Sequence, residues 1–152
     1  MARRNIYQVG DPVLRQVSKP VTEFDDKLSQ LIDDMIDTLI YADGAGLAAP
    51  QIGVPKRIFV ATFDGGSTII EAVNPVIVSA KGKRVAPEGC LSVPNTHEKV
   101  ERPRHVVVHA FDRHGNPIVL KADNFPASCY CHEIDHLDGI IFTDKSIKPK
   151  KK

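Results

Sequence analysis

The stretch His132-Glu133-Ile134-Asp135-His136 constrains this chain more than any other. It falls near the C-terminal end of a segment, Phe125–Leu137, whose pattern predicts a helix. Residues four apart on a helix stand one turn above each other, so His132 and His136 can aim imidazole nitrogens at a single metal ion. Glu133, one step round, reaches a water at such an ion without ligating it, which suits a general base. A catalytic site of this kind takes three protein ligands and a water, so a third ligand must come from elsewhere in the chain. With six histidines in 152 residues, this spacing can also arise by chance.

Two cysteines are candidates for the third ligand. Cys129 stands three residues before His132, and three ligands from successive turns of one helix lie nearly in a row, which a tetrahedral ion disfavours. Cys129 then reads as a residue lining the pocket. Cys131 points about 100° away from His132 and reads as a small packed residue. Cys90 lies in Pro87-Glu88-Gly89-Cys90-Leu91-Ser92-Val93-Pro94, a loop between strands from which a thiolate can approach the helix from another direction. Spacing alone leaves Cys90 equally open to being a buried structural thiol.

The remainder of the chain predicts an α+β fold, with antiparallel β-sheets packed around the central C-terminal helix and an added N-terminal amphipathic helix. Leu28, Leu31, Ile32, Met35, Ile36, Leu39 and Ile40 recur at three and four, which predicts that helix from Asp25 or Asp26 to about Ala42. After it comes Asp43-Gly44-Ala45-Gly46-Leu47-Ala48-Ala49-Pro50-Gln51-Ile52-Gly53, whose small residues let backbone approach a ligand closely. A helix end followed by a connector would look the same. Residues 57–62 and 68–73 read as a hairpin, with Asn74-Pro75 breaking the second strand before it resumes at 76–79. Val100, residues 105–111 and residues 118–121 make a second antiparallel set, and residues 5–24 read as an irregular arm.

Composition excludes several classes. Hydrophobic residues at 42% and charged residues at 26% suit a single soluble globular domain over residues 1–152, and no apolar run is long enough for a membrane span. The N-terminus lacks the apolar segment of a secretory signal, and three cysteines are too few and odd for a disulfide framework; both point to the cytoplasm and to reduced thiols. A formal net charge of +1 argues against a broad nucleic-acid surface, and no sequence-specific nucleic-acid partner is expected, although Lys148-Pro149-Lys150-Lys151-Lys152 is locally basic.

Taken together, Gly44-Ala45-Gly46-Leu47-Ala48-Ala49-Pro50-Gln51, Glu88-Gly89-Cys90-Leu91-Ser92 and His132-Glu133-Ile134-Asp135-His136 resemble the three motifs of peptide deformylase in content, order and spacing. The resemblance extends from Asp11-Pro12-Val13-Leu14-Arg15 to Asp138-Gly139-Ile140-Ile141-Phe142. It implies a metal-dependent hydrolase that removes the formyl group from N-formylmethionyl nascent peptides. It also implies one divalent ion per chain, Fe²⁺ physiologically and Zn²⁺, Ni²⁺ or Co²⁺ in preparations, and leaves open a transient ribosome contact. By position, Cys90, His132 and His136 match the family's metal ligands and Glu133 its general acid/base, while Gln51 and the Leu91 N–H match its oxyanion stabilisers. Ala45, Phe125, Cys129 and His132 would border the methionine side chain, with the Gly46 backbone pairing to the peptide. Asp43 and Arg102 match positions that form a supporting ion pair in relatives, and read equally well as two ordinary surface charges. Asn124, Ser128 and Cys131 depart from the usual pattern, which commonly has Gly, Arg or an aliphatic residue, and Gln at those places.

Two rivals predict other behaviour. A different HExxH metallopeptidase would cut unformylated peptides as well, but leaves the Gln51 and Cys90 segments unexplained. A metal-stabilised docking module would bind ribosome or RNA through its lysine tail independently of Glu133.

Overall fold

The apolar stripe beginning at Leu28 forms helix α1 over Asp26–Ala42, started by the Asp25 carboxylate, which accepts the Leu28 N–H at 3.0 Å. The computed structural model describes residues 2–147, so the lysine tail at 148–152 lies outside the described residues. Seven strands follow: β1 (Gly46–Ala48), β2 (Ile58–Ala61), β3 (Ile70–Lys81), β4 (Arg84–Cys90), β5 (Val93–Arg102), β6 (His105–Phe111) and β7 (Pro117–Asp123). Helix α2, Phe125–Leu137, comes after the last strand.

All pairings within the sheets are antiparallel, in a five-stranded sheet of order β1-β2-β3-β6-β7 and a separate β4-β5 hairpin. Strand alternation sorts the large sheet's side chains onto two faces. Ile58 and Val60 of β2 pack with Leu31, Met35 and Leu39 of α1, while Phe59 and Ala61 pack with Tyr130, Ile134 and Leu137 of α2. Every residue of β2 is therefore buried. The α+β fold with a central C-terminal helix is thus present as expected. A third cluster, Leu14, Val93, Val100, Ile141 and Phe142, fixes the hairpin to the segment after α2.

Three expectations need correction. Asn74-Pro75 does not break β3; the strand runs through it with a register shift between Val73 and Val76. Asn74 takes φ 52°, and its amide grips Val21 from both sides, donating to the carbonyl at 2.9 Å and accepting the N–H at 2.8 Å. The bulge removes Pro75 from the ladder, where it could not donate. Cys90 is the last residue of a strand and not part of a free loop, because residues 84–102 form a hairpin of which only Val100 carried a β-signal. The Asp43–Arg102 pair does not form: Asp43 ends α1 at φ 55°, and Arg102 is bonded to Glu88 and Asp135.

Candidate active site

Local structure brings the three motifs to one cleft of about 350 Å³, lined by Gly44, Ala45 and Gly46, by β4 and Leu91, and by Phe125, Ser128, Cys129, His132 and Glu133 of α2. The last five recur at three and four, so they share the helix face opposite the core contacts of Tyr130, Ile134 and Leu137. The α2 helix starts at Asn124, where φ 58° and ψ −124° are a conformation glycine adopts more readily.

At the floor of the cleft one sulfur and two imidazole donors converge. Ligand atoms of Cys90, His132 and His136 all lie within 4.8 Å of one another, and Cys90 Sγ stands 3.3 Å from His136 Nε2. His132 Nδ1 lies 3.1 Å from Glu88 Oε1, a contact in which the ring N–H donates and Nε2 is left for an ion. The donors fit a divalent transition metal: a thiolate with two imidazoles suits Zn²⁺ or Fe²⁺ and does not suit Ca²⁺ or Mg²⁺. The local field agrees. Burial alone would lower the His132 pKa, yet Glu133, Cys90 and Glu88 raise it to about 10, so this spot favours positive charge. His136, buried and beside a positively charged His132, is held neutral with its pKa down to about 3.

Sequence reasoning missed the support behind His132. Arg102, 3% exposed, binds both Glu88 oxygens at 2.9 Å and reaches Asp135 Oδ2 at 2.5 Å, so β4, β5 and α2 meet at one guanidinium. No local signal marked it, because residues 84–102 carried too little strand pattern to place Glu88, Cys90 and Arg102 on one hairpin.

Glu133 is 3% exposed and its Oε1 has no partner among the described residues. Burial, reinforced by Glu88 and Asp135, raises its pKa to about 7 against the pull of His132 and Arg102. A carboxylate so placed exchanges a proton near neutral pH. Gly46 explains itself here, since a Cβ on it would lie 2.5 Å from Glu133 Oε2 and 2.8 Å from Cys129 Sγ. Gln51, on a 3-10 turn and 1% exposed, is held at both ends of its amide. Its oxygen accepts the Ala48 N–H at 2.9 Å, and its nitrogen donates to Ser92 Oγ at 3.0 Å and faces Cys90 Sγ at 3.5 Å. Phe125 is half exposed at the mouth, while Cys129 is buried with its thiol pKa pushed well up by that burial. Cys131 is packed in the core.

A family model described as polypeptide deformylase matches residues 3–152. The chain belongs to the peptide deformylase family. It is 54% identical to a peptide deformylase of Caldicellulosiruptor bescii over 97% of its own length and 88% of that protein's. The crystal structure of a Legionella pneumophila peptide deformylase superposes with a TM-score of 0.94 at 45% identity, covering 97% of this chain and 88% of that one. A Synechococcus elongatus peptide deformylase solved in complex with actinonin gives 0.92 at 40% identity, covering 97% and 81%. As a peptide deformylase relative the chain is an enzyme of the metallohydrolase class, and the Cys90, His132 and His136 cluster is its candidate metal centre. Among the described residues no helix is long and apolar enough to cross a membrane.

Proposed function

We propose that this chain, as one catalytic domain over residues 1–152, hydrolyses the formyl amide of N-formylmethionyl nascent peptides in the cytoplasm. The convergence of Cys90, His132 and His136 beside the buried carboxylate of Glu133 carries this reading. These three residues would hold one divalent ion, Fe²⁺ physiologically and Zn²⁺, Ni²⁺ or Co²⁺ in preparations, which when bound would supply Lewis acidity to the site. Glu133 takes the proton of the attacking water as it adds to the formyl carbon. The same carboxylic acid returns that proton to the nitrogen as the C–N bond breaks, releasing formate and the free amine.

Gln51 Nε2 and the Leu91 N–H stabilise charge on the formyl oxygen, each such donor contributing about 3 kcal/mol to the barrier reduction. The Gln51 amide cannot rotate away, because Ala48 and Ser92 fix its two ends. Ala45, Phe125, Cys129 and the wall at His132 receive the methionine side chain, whose apolar body suits a cleft lined by a ring, a thiol and a methyl group. Gly46 lies on β1, the outer strand of the large sheet, and its free edge pairs with the peptide backbone. Any contact with the ribosome is transient.

Formate release from formyl-Met-Ala-Ser, run beside the unformylated peptide, tests the proposal. Release from the first with no cleavage of the second supports it. Cutting of the unformylated peptide points to a metallopeptidase instead.

A further inference from the structure

Phe63 stands shortly after β2 and is 38% exposed, while Phe125 opens α2 at the mouth of the cleft. Their rings meet nearly perpendicular, at 84° with centroids 5.9 Å apart. That is one of the arrangements aromatic pairs prefer. Phe125 lines the cleft and Phe63 does not, so Phe63 touches the Phe125 ring from outside the cleft. The contact continues inward. The Tyr130 ring, 3% exposed, lies 6.0 Å from that of Phe63, and 5.6 Å from that of the fully buried Phe59. An aromatic chain, Phe59-Tyr130-Phe63-Phe125, thus runs from the sheet core to the mouth.

The backbone that presents Phe63 is tied down on both sides. The Thr62 N–H donates to the Ala45 carbonyl at 2.9 Å, which joins the Phe63 loop to the opposite wall of the cleft. The buried Thr62 hydroxyl donates to the Thr68 carbonyl at 2.8 Å and accepts the Gly66 N–H at 3.0 Å, and the Asp64 carboxylate accepts the Thr68 N–H at 2.8 Å. A ring fixed in this way orients the ring it touches. Resting on the deformylation reading above, we propose that Phe63 is a positioning residue: it holds Phe125 as the outer wall of the methionine site and so favours a long apolar first side chain over a short one. A methionine gains buried area against such a wall, and its thioether contacts aromatic rings favourably; an alanine methyl has too little surface to gain from either.

The test uses the metal-loaded full chain and two peptides, formyl-Met-Ala-Ser and formyl-Ala-Ala-Ser, with kcat/KM for formate release measured on both. Phe63→Ala should lower the methionine-to-alanine ratio about fivefold, through a higher KM for the methionine peptide, and Phe63→Tyr should keep the wild-type ratio because the ring remains. Phe125→Ala should lower the ratio to a similar extent. The double variant should fall no further than Phe125→Ala alone, since Phe63 acts only through that ring. The ratio is read within each variant, so a general loss of folded protein does not mimic it, and Phe63→Leu, with the same expected direction, serves if Phe63→Ala does not fold. A ratio unmoved by Phe63→Ala or Phe63→Leu, or a double variant in which the two losses multiply, overturns the inference and leaves deformylation standing. No formate from formyl-Met-Ala-Ser with wild-type protein overturns both.

Discussion

Individual atoms decide how much of this site tolerates change. Gly46 has no room for a side chain, because the first carbon would meet the Glu133 carboxylate. Gly46→Ala should therefore cut formate release about a hundredfold or more by displacing that group, a loss comparable with removing a general base. Its thermal midpoint should fall only modestly, because Cys129 and Glu133 can shift towards the open cleft. Gln51→Ala should lower kcat about a hundredfold while leaving one metal ion per chain, since the amide faces Cys90 without replacing it. Elemental analysis beside the kinetics separates the two cases. Metal lost together with activity would make Gln51 a support of the ligand and not of the oxyanion.

Among the elements, α2 shows best where a local rule is broken. Asn124 holds φ 58° and ψ −124° directly before the helix that carries the two candidate metal ligands His132 and His136. Asn124→Gly should raise the thermal midpoint by an amount equivalent to about 1 kcal/mol, the relief of strain outweighing the extra entropy of the unfolded chain. A lower midpoint would mean that the 3.2 Å hydrogen bond from Arg104 to the Asn124 side chain matters more than the strain. Helices were legible because their signals are periodic, with a capping Asp25 at the start of the first: α1 occupies Asp26–Ala42 and α2 Phe125–Leu137, as the patterns of Leu28 to Leu39 and Phe125 to Leu137 predict. The hairpin of β4 and β5 was mostly illegible. Its residues 94–99, Pro-Asn-Thr-His-Glu-Lys, face largely outward, so they lack the alternation that a strand buried on one face imposes. In β3 the Asn74-Pro75 pair read as a break because local chemistry could not reveal that Val21 would take up the Asn74 amide.

For the molecule as a whole, one buried ion cluster ties the β4-β5 hairpin to α2. Glu88 resists its own burial because hydrogen bonds from Arg102 and His132 hold its pKa down to about 2, against an ordinary 4.5. A lowered carboxylate pKa contributes stability that is complete above 4.5 and lost as the pH falls towards 2, about 3 kcal/mol for a shift of this size. The urea midpoints of metal-free wild type and Glu88→Gln should thus differ most above about pH 5 and converge towards pH 2. A gap that is independent of pH would show that the pair acts only by packing. Such long-range ties were hard to foresee: the family resemblance suggested Asp43 for Arg102, but Asp43 caps α1 and the guanidinium turns to Glu88 and Asp135. The clustering of His132, Glu133 and His136 was legible because helical spacing brings them together locally, whereas Cys90 needed the resemblance of three motifs before it could be placed beside them. The most direct test of the central claim is formate release from formyl-Met-Ala-Ser by Glu133→Ala with its metal content measured on the same sample. The account predicts one divalent ion per chain, held by Cys90, His132 and His136, with turnover down about a thousandfold or more. Turnover near the wild-type rate with the ion bound would contradict it.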